Sequence, residues 1–113
     1  MQPFTLKVIE IIQAIPAGKV MTYGQVAQSA GSPRSARQVV RILHSMSGKY
    51  KLPWHRVINA KGEIALKDGE GGHEQRVLLE SEGIVVSSEH KVDLTVYQLR
   101  GRELEDDRDW DTI

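Results

Sequence analysis

The chain has 113 residues, 40% hydrophobic and 27% charged, which suits one domain able to bury a core without metal or disulfide staples. It contains no cysteine, so disulfides, thiolate zinc sites and thiol nucleophiles are excluded. The net charge is zero but unevenly placed: residues 1–62 carry nine Lys or Arg against one acid, Glu10, and residues 63–113 carry six against fourteen. A basic half nearly free of acids suits a phosphate-rich partner; two solvated faces of opposite sign are the plainer alternative. No basic stretch leads into a long apolar run at the N-terminus, and no apolar run approaches ~18 residues, so neither signal peptide nor membrane span is expected. The four histidines, His44, His55, His73 and His90, lack ligand-like spacing, so neither metal nor cofactor is expected.

Phe4 to Ile15 reads as a helix capped by Thr5, with Val8, Ile9, Ile12 and Ile15 on one face. Pro16 and Gly18 end it, and Lys19 to Met21 is a short extended link. Thr22 caps a second helix that runs to Ala30, with Val26 and Ala27 inward, and Gly31 closes it. Ser32 as cap and Pro33 at the first helical position start a third helix ending near His44 or Met46, with Val39, Val40, Ile42 and Leu43 apolar. The second and third helices have helix-turn-helix proportions, and the third presents Arg34, Arg37 and Arg41 with no acid between Gln13 and Gly62.

A polar loop follows over residues 47–51. Arg56 to Ile58 reads as a short strand, Ala60-Lys61-Gly62 as a turn, and Glu63 to Leu66 as a segment pairing back in a hairpin. Residues 67–72 form a Gly-rich loop. His73 to Glu82 is an amphipathic helix with Val77, Leu78 and Leu79 apolar, stopped by Gly83. Ile84 to Val86 and Val92 to Val96 read as extended. Residues 101–113 are an acidic tail, expected to be loose, with Trp110 able to pin it to the surface. The expected fold is mainly α with a small β element.

Pro53-Trp54-His55-Arg56-Val57 resembles the Pro-Cys-His-Arg-Val signature of the O6-alkylguanine-DNA alkyltransferases, with Trp54 at the cysteine position. Gly18-Lys19-Val20, Thr22-Tyr23-Gly24 and Ser35-Ala36-Arg37-Gln38-Val39 fall in register with the same family. On these blocks the chain is identified as a member of the alkyltransferase-like proteins, the Trp-for-Cys relatives of the transferases. The resemblance implies a winged helix-turn-helix-like domain, taken here as residues 1–100. It implies non-enzymatic binding of double-stranded DNA containing O6-alkylguanine, by minor-groove contact and nucleotide flipping, flagging the lesion for nucleotide excision repair proteins.

The resemblance also assigns roles. Arg37 is the finger that enters the stack in place of the flipped nucleotide, flanked by the small Ser35 and Ala36 and by Arg34. Tyr23 crowds the phosphate beside the lesion. Trp54, with Pro53, His55, Tyr23 and Lys67, belongs to the lesion pocket. His55 and Glu82 stand where the transferases activate their cysteine; with no thiol to activate, they are expected to be a structural network. Arg41, Lys49 and Lys51 suit phosphate contacts. Two departures from the transferases are visible: Met46 stands where they carry an Asn holding a turn, and Ala65-Leu66-Lys67 replaces their lid tyrosine. Both suggest a looser pocket tolerant of bulky adducts. A monomer is expected, cytoplasmic and nucleoid-associated in a bacterium or nuclear in a eukaryote. The rival readings are a helix-turn-helix transcription regulator reading the major groove, and an enzyme using His55, Glu82 and a water on damaged DNA.

Overall fold

Pro3 sets where the first helix begins. In the computed structural model, which describes residues 1–100, helix α1 spans Pro3–Gln13, with Gln2 in extended conformation before it. Proline at the first position has no N–H to satisfy, so the helix needs no side-chain cap there, and Thr5 lies inside the first turn rather than capping it. Val8, Ile9, Ile12 and Ile15 are buried as their spacing predicts. Among the described residues no helix is long and apolar enough to cross a membrane.

Strand β1 (Met21–Thr22) leads directly into helix α2 (Tyr23–Ser29). Thr22 and Gln25 form a capping box: the Gln25 N–H donates to Thr22 Oγ1 at 3.0 Å, and the Thr22 N–H donates to Gln25 Oε1 at 3.2 Å. Helix α3 spans Ala36–Tyr50, so it begins later and ends later than expected. Ser32, Pro33 and Arg34 form a turn, closed by the Ser35 N–H on the Ser32 carbonyl, and Ser32 and Ser35 share a hydroxyl hydrogen bond of 2.6 Å. Ser35 precedes the helix, but its hydroxyl is engaged with Ser32 and caps nothing. At the other end the expected polar loop is helical: the Ser45 and Ser47 hydroxyls bond back to the Arg41 and Leu43 carbonyls, and Tyr50 packs on the core. Lys51, at φ 50°, ends the helix.

Residues Trp54–Arg56 form a 3₁₀ turn, so the expected strand is confined to β2 (Val57–Ile58). β2 pairs in parallel with β1, Met21 opposite Val57 and Thr22 opposite Ile58. The turn after β2 forms, but the hairpin does not. Glu63 pairs instead with Lys91, and Val92 donates its N–H to the Gly62 carbonyl at 2.8 Å. Gly62 sits at φ +77° with the Val92 carbonyl where a Cβ would be, so only glycine fits this approach.

A second 3₁₀ turn, Asp68–Glu70, precedes helix α4 (Gly72–Ser81). Of the apolar residues expected to bury on α4, Leu79 does, whereas Val77 is exposed; Gln75 is buried in its place. The segment read as extended from Val92 to Val96 contains a short helix, α5 (Leu94–Tyr97), started by Asp93, whose carboxylate accepts from the Thr95 N–H. Beyond it, Leu99 donates to the Val20 carbonyl at 2.7 Å, and Val20 donates to the Tyr97 carbonyl at 2.9 Å. The core falls into two clusters: one where α1, α2 and α3 meet, and one where Val20, Ile58, Leu79, Ile84 and Val92 meet. β1 and β2 run between them. The tail at residues 101–113, including Trp110, lies outside the described residues.

Candidate nucleic-acid interface

Helix α3 has three faces. Val39 and Ile42 are buried in the core. A second side, with Arg37, Gln38 and Arg41, joins Arg34 and Ser35 of the preceding turn to line a shallow groove of about 460 Å³. Among the described residues no carboxylate pairs with Arg34, Arg37 or Arg41. Three guanidinium groups along one groove form a concentrated positive surface, well matched to phosphate oxygens. Ala36 opens the helix beside them, and Lys49 and Lys51 are exposed at its far end, with the Lys49 ammonium over the Tyr50 ring at 5.5 Å.

The third face carries Val40, Leu43, His44 and Ser47, spaced i, i+3, i+4, i+7. They form one wall of an open cleft of about 250 Å³, completed by Tyr23, Trp54, Leu66, Glu70, Gly71, Glu74 and Gln75. That volume suits a single small planar group rather than an extended ligand. Arg37 and the cleft are thus carried by adjacent sides of one helix. Val40 and Leu43, read from the sequence simply as apolar, line this cleft, Leu43 also packing against the core that Val39 and Ile42 fill.

Each aromatic wall is held by its own local device. Tyr23 is the first residue of α2, so the capping box positions it; Gln25 is itself tied to the Leu99 carbonyl at 2.7 Å and accepts from the Gln98 amide at 2.8 Å. Burial pushes the Tyr23 hydroxyl pKa up, which keeps it a neutral donor. Trp54 opens the 3₁₀ turn after Pro53 and meets the His55 ring edge to face, centroids 6.2 Å apart. Across the cleft stands Gly71 at φ +107°, where a Cβ would lie 3.8 Å from Trp54 Cη2 and 3.7 Å from Leu66 Cδ1.

Behind Trp54 lies a charged network. His55 Nε2 meets Glu82 Oε2 at 2.8 Å. Arg56 donates Nη2 to Glu82 Oε2 at 2.7 Å and Nε to Glu82 Oε1 at 3.0 Å, and its Nη1 reaches the Ile15 carbonyl at 2.8 Å. The Gly18 N–H donates to Glu82 Oε1 at 3.1 Å. Burial alone would raise the Glu82 pKa, but the hydrogen bonds from Arg56, His55 and Gly18 outweigh it and hold the carboxyl at about 2. Buried Gln75 adds a second tie, donating to the His55 and Val57 carbonyls at 3.1 and 3.2 Å. The network knits α1, the signature turn and the end of α4 together, with Glu82 saturated by donors.

Of the pocket residues expected from the sequence, Tyr23 and Trp54 line the cleft. Pro53, His55 and Lys67 do not: Pro53 precedes the turn, His55 is buried against Glu82, and Lys67 is exposed. Met46 lies inside α3 and lines the arginine groove, so no turn is needed where the transferases place an Asn. Leu66, from the stretch at the lid position, lines the cleft, whereas the sequence assigns no site role to Arg56, Gln75 or the cleft walls Val40, Leu43, His44, Ser47, Glu70, Gly71 and Glu74. For the α3 members the available signal was their helical spacing, and for Gly71 the double glycine before α4.

Residues 3–84 match the model of the 6-O-methylguanine DNA methyltransferase DNA-binding domain. The chain belongs to this family, among its alkyltransferase-like members. It is 46% identical over 95 residues to the DNA base-flipping protein of Escherichia coli, covering 84% of this chain and 73% of that one. It is 38% identical over 102 residues to alkyltransferase-like protein 1 of Schizosaccharomyces pombe, covering 86% and 94%. Its structure is similar to that of S. pombe Atl1 in complex with damaged DNA containing O6-carboxymethylguanine, with a TM-score of 0.81 and 37% identity over 89% of this chain and 98% of that one. The mainly helical alkyltransferase-like architecture expected from the motifs is the one observed.

Proposed function

We propose that this protein binds duplex DNA containing O6-alkylguanine, turns the damaged nucleotide into the cleft, and holds it there with the alkyl group left in place. One observation carries the reading: the cleft wall beside Tyr23 presents the indole of Trp54, in a chain with no cysteine at all. Alkyl transfer needs a nucleophile of thiolate character, and the indole N–H is a donor with no such reactivity at neutral pH. What an indole offers is a broad stacking and packing surface. The names of the relatives, a base-flipping protein and an alkyltransferase-like protein in complex with damaged DNA, support the same reading.

In this reading Arg37 enters the duplex through the minor groove and stands in for the rotated nucleotide, with Ser35 and Ala36 small enough to let the backbone approach. Tyr23 presses on the neighbouring phosphate, and Arg34, Arg41, Lys49 and Lys51 hold the backbone. Pro53 and His55 fix the turn that carries Trp54, and Lys67 reaches the adduct from the rim. Rotating a nucleotide out costs a few kcal/mol, less for a poorly paired base. Stacking on an aromatic wall returns roughly 1–3 kcal/mol, and each buried methylene of the adduct about 0.8 kcal/mol. Those magnitudes favour the lesion over guanine without any bond breaking.

The complex then serves as a flag for nucleotide excision repair, with the protein acting as a monomer wherever the genome is kept: the nucleoid of a bacterium or the nucleus of a eukaryote. The test is equilibrium binding to a duplex holding one O6-methylguanine against the same duplex with guanine, at fixed near-physiological salt, because phosphate contacts dominate bare affinity. A clear preference for the lesion, with the methyl group still on the DNA afterwards, is expected. Equal affinity for both duplexes sinks the proposal and favours a regulator reading sequence.

A further inference from the structure

The arginine groove has a complementary run of charge in its own chain. Among the described residues, Arg34, Arg37 and Arg41 are exposed, and no Asp or Glu lines the groove with them. Past Arg100, the last described residue, the sequence places six acids between Glu103 and Asp111 against one base, Arg108. Five of the six, Glu103, Glu105, Asp107, Asp109 and Asp111, stand at every second position. Alternate residues of an extended chain share one side, about 7 Å apart. Arg37 and Arg41 are about one helical turn apart on α3, roughly 6 Å along its axis. An extended acidic edge would meet these guanidinium groups nearly in step, offering them anionic oxygens as a phosphate backbone does. The run is also within reach. Leu99 packs on the core formed by α1, α2 and α3, and its carbonyl accepts from Gln25 on α2, which lies against α3. The eleven residues from Gly101 to Asp111 span roughly 36–40 Å when extended, close to the 42 Å longest dimension of the molecule. The open surface beside Tyr97, with Val85, Lys91, Asp93 and Val96, is largely apolar and already holds a carboxylate, so it offers the acidic run no such match.

We propose that the acidic run of residues 103–111 docks along the arginine groove and competes with DNA for it. Being tethered, it acts at high local concentration and needs no strong contact of its own. Exposed ion pairs are worth about twofold each, so three together lower affinity for DNA by about tenfold at low salt. The run must leave before any duplex enters, so damaged and undamaged DNA are disfavoured by the same factor. Binding to bulk DNA thins out while discrimination between the two is kept. This consequence rests on the DNA-binding role proposed for the groove; the docking itself does not.

Because the chain has no cysteine, a nitroxide can be attached at one place, Thr112→Cys, just beyond the acidic run. Paramagnetic broadening of backbone amide signals is then read in the full chain, without DNA, at low salt. Broadening is expected over residues 34–41. It should vanish at high salt and in the neutralised full chain E103Q/E105Q/D106N/D107N/D109N/D111N. Broadening centred on residues 85–97, or none at all, overturns the proposal. A second measurement titrates the unlabelled native and neutralised chains with O6-methylguanine and guanine duplexes. The neutralised chain should bind both about tenfold more tightly at low salt, with the advantage shrinking as salt rises. Equal affinities of the two chains overturn the competition. Tighter binding without broadening at residues 34–41 assigns the effect to simple repulsion of DNA and overturns the docking. A native chain with no preference for the lesion overturns the lesion-binding proposal instead, and leaves the broadening result standing.

Discussion

Arg56 and Glu82 form a forked ion pair, with Nη2 on Oε2 at 2.7 Å and Nε on Oε1 at 3.0 Å, and Glu82 also holds His55, whose ring meets the Trp54 indole. The pair is mostly shielded, with side chains 18% and 13% exposed. Removing one partner leaves the other charged and poorly solvated. Arg56→Ala is therefore expected to lower unfolding stability by about 2–4 kcal/mol in urea denaturation. A loss below about 0.5 kcal/mol would show that water replaces the guanidinium freely.

The same pair predicts acid sensitivity. Glu82 has its folded pKa lowered from 4.5 to about 2. The group binds a proton more readily in the unfolded chain, so its contribution is fully present above pH 4.5 and is lost as pH falls towards 2. Urea midpoints measured across that window should fall more steeply for the native chain than for Glu82→Gln, which has no carboxyl to titrate there. Parallel curves would remove Glu82 from the account.

Arg37 and Arg41 share the groove yet should behave differently on DNA. Arg37→Ala, like Tyr23→Ala, is expected to weaken binding to an O6-methylguanine duplex by about tenfold or more and binding to undamaged duplex much less. Arg41→Ala should weaken both alike and reduce the slope of log affinity against log salt by about one. Equal losses on damaged and undamaged DNA for Arg37→Ala would contradict its insertion into the stack.

The cleft is open along one side, and no large side chain replaces the transferase lid tyrosine: Leu66 lines it and Lys67 is exposed at its edge. Neutral O6-alkyl chains from methyl to butyl should therefore bind with affinity that stays level or rises, by up to a few-fold per methylene. A steep fall with chain length, read by competition titration, would mean that the walls close on the adduct.

Gly72 backs onto the Leu66 carbonyl, and a Cβ there would strike it and crowd the carbonyl carbons of Leu66 and Lys67. Since these atoms are backbone, they cannot rotate away. Gly72→Ala is expected to destabilise the fold by about 1–3 kcal/mol and to weaken lesion binding by displacing Leu66 from the cleft. Unchanged melting and binding would show that the loop over residues 66–71 shifts at no cost.

Elements governed by neighbours in sequence are legible from the sequence alone. The buried stripe of α1 follows from the spacing of Val8, Ile9, Ile12 and Ile15, and the Thr22 cap from its own side chain. Elements governed by distant partners were not. Nothing near Glu63 announces that Lys91 pairs with it, and the turn at residues 59–62 suits a hairpin equally well. Ser45 and Ser47 look like loop residues because their hydroxyls usually compete with helix; here those hydroxyls bond back within it. In the site, the signature motif pointed to Tyr23 and Trp54, which face each other's cleft. Glu70 and Glu74 carry no such signal, because they reach that cleft only through the packing of α4 on the signature turn.

The ties of Leu99 to Val20 and to Gln25 have a practical corollary for anyone trimming the chain. The family match ends at residue 84, yet the strap that steadies the base of the Tyr23 helix comes from fifteen residues later. A fragment cut at the family boundary would retain every signature residue while leaving Val20 and Gln25 without their partners. The fold around the Tyr23 helix is therefore closed by residues through Leu99, a segment that no motif marks.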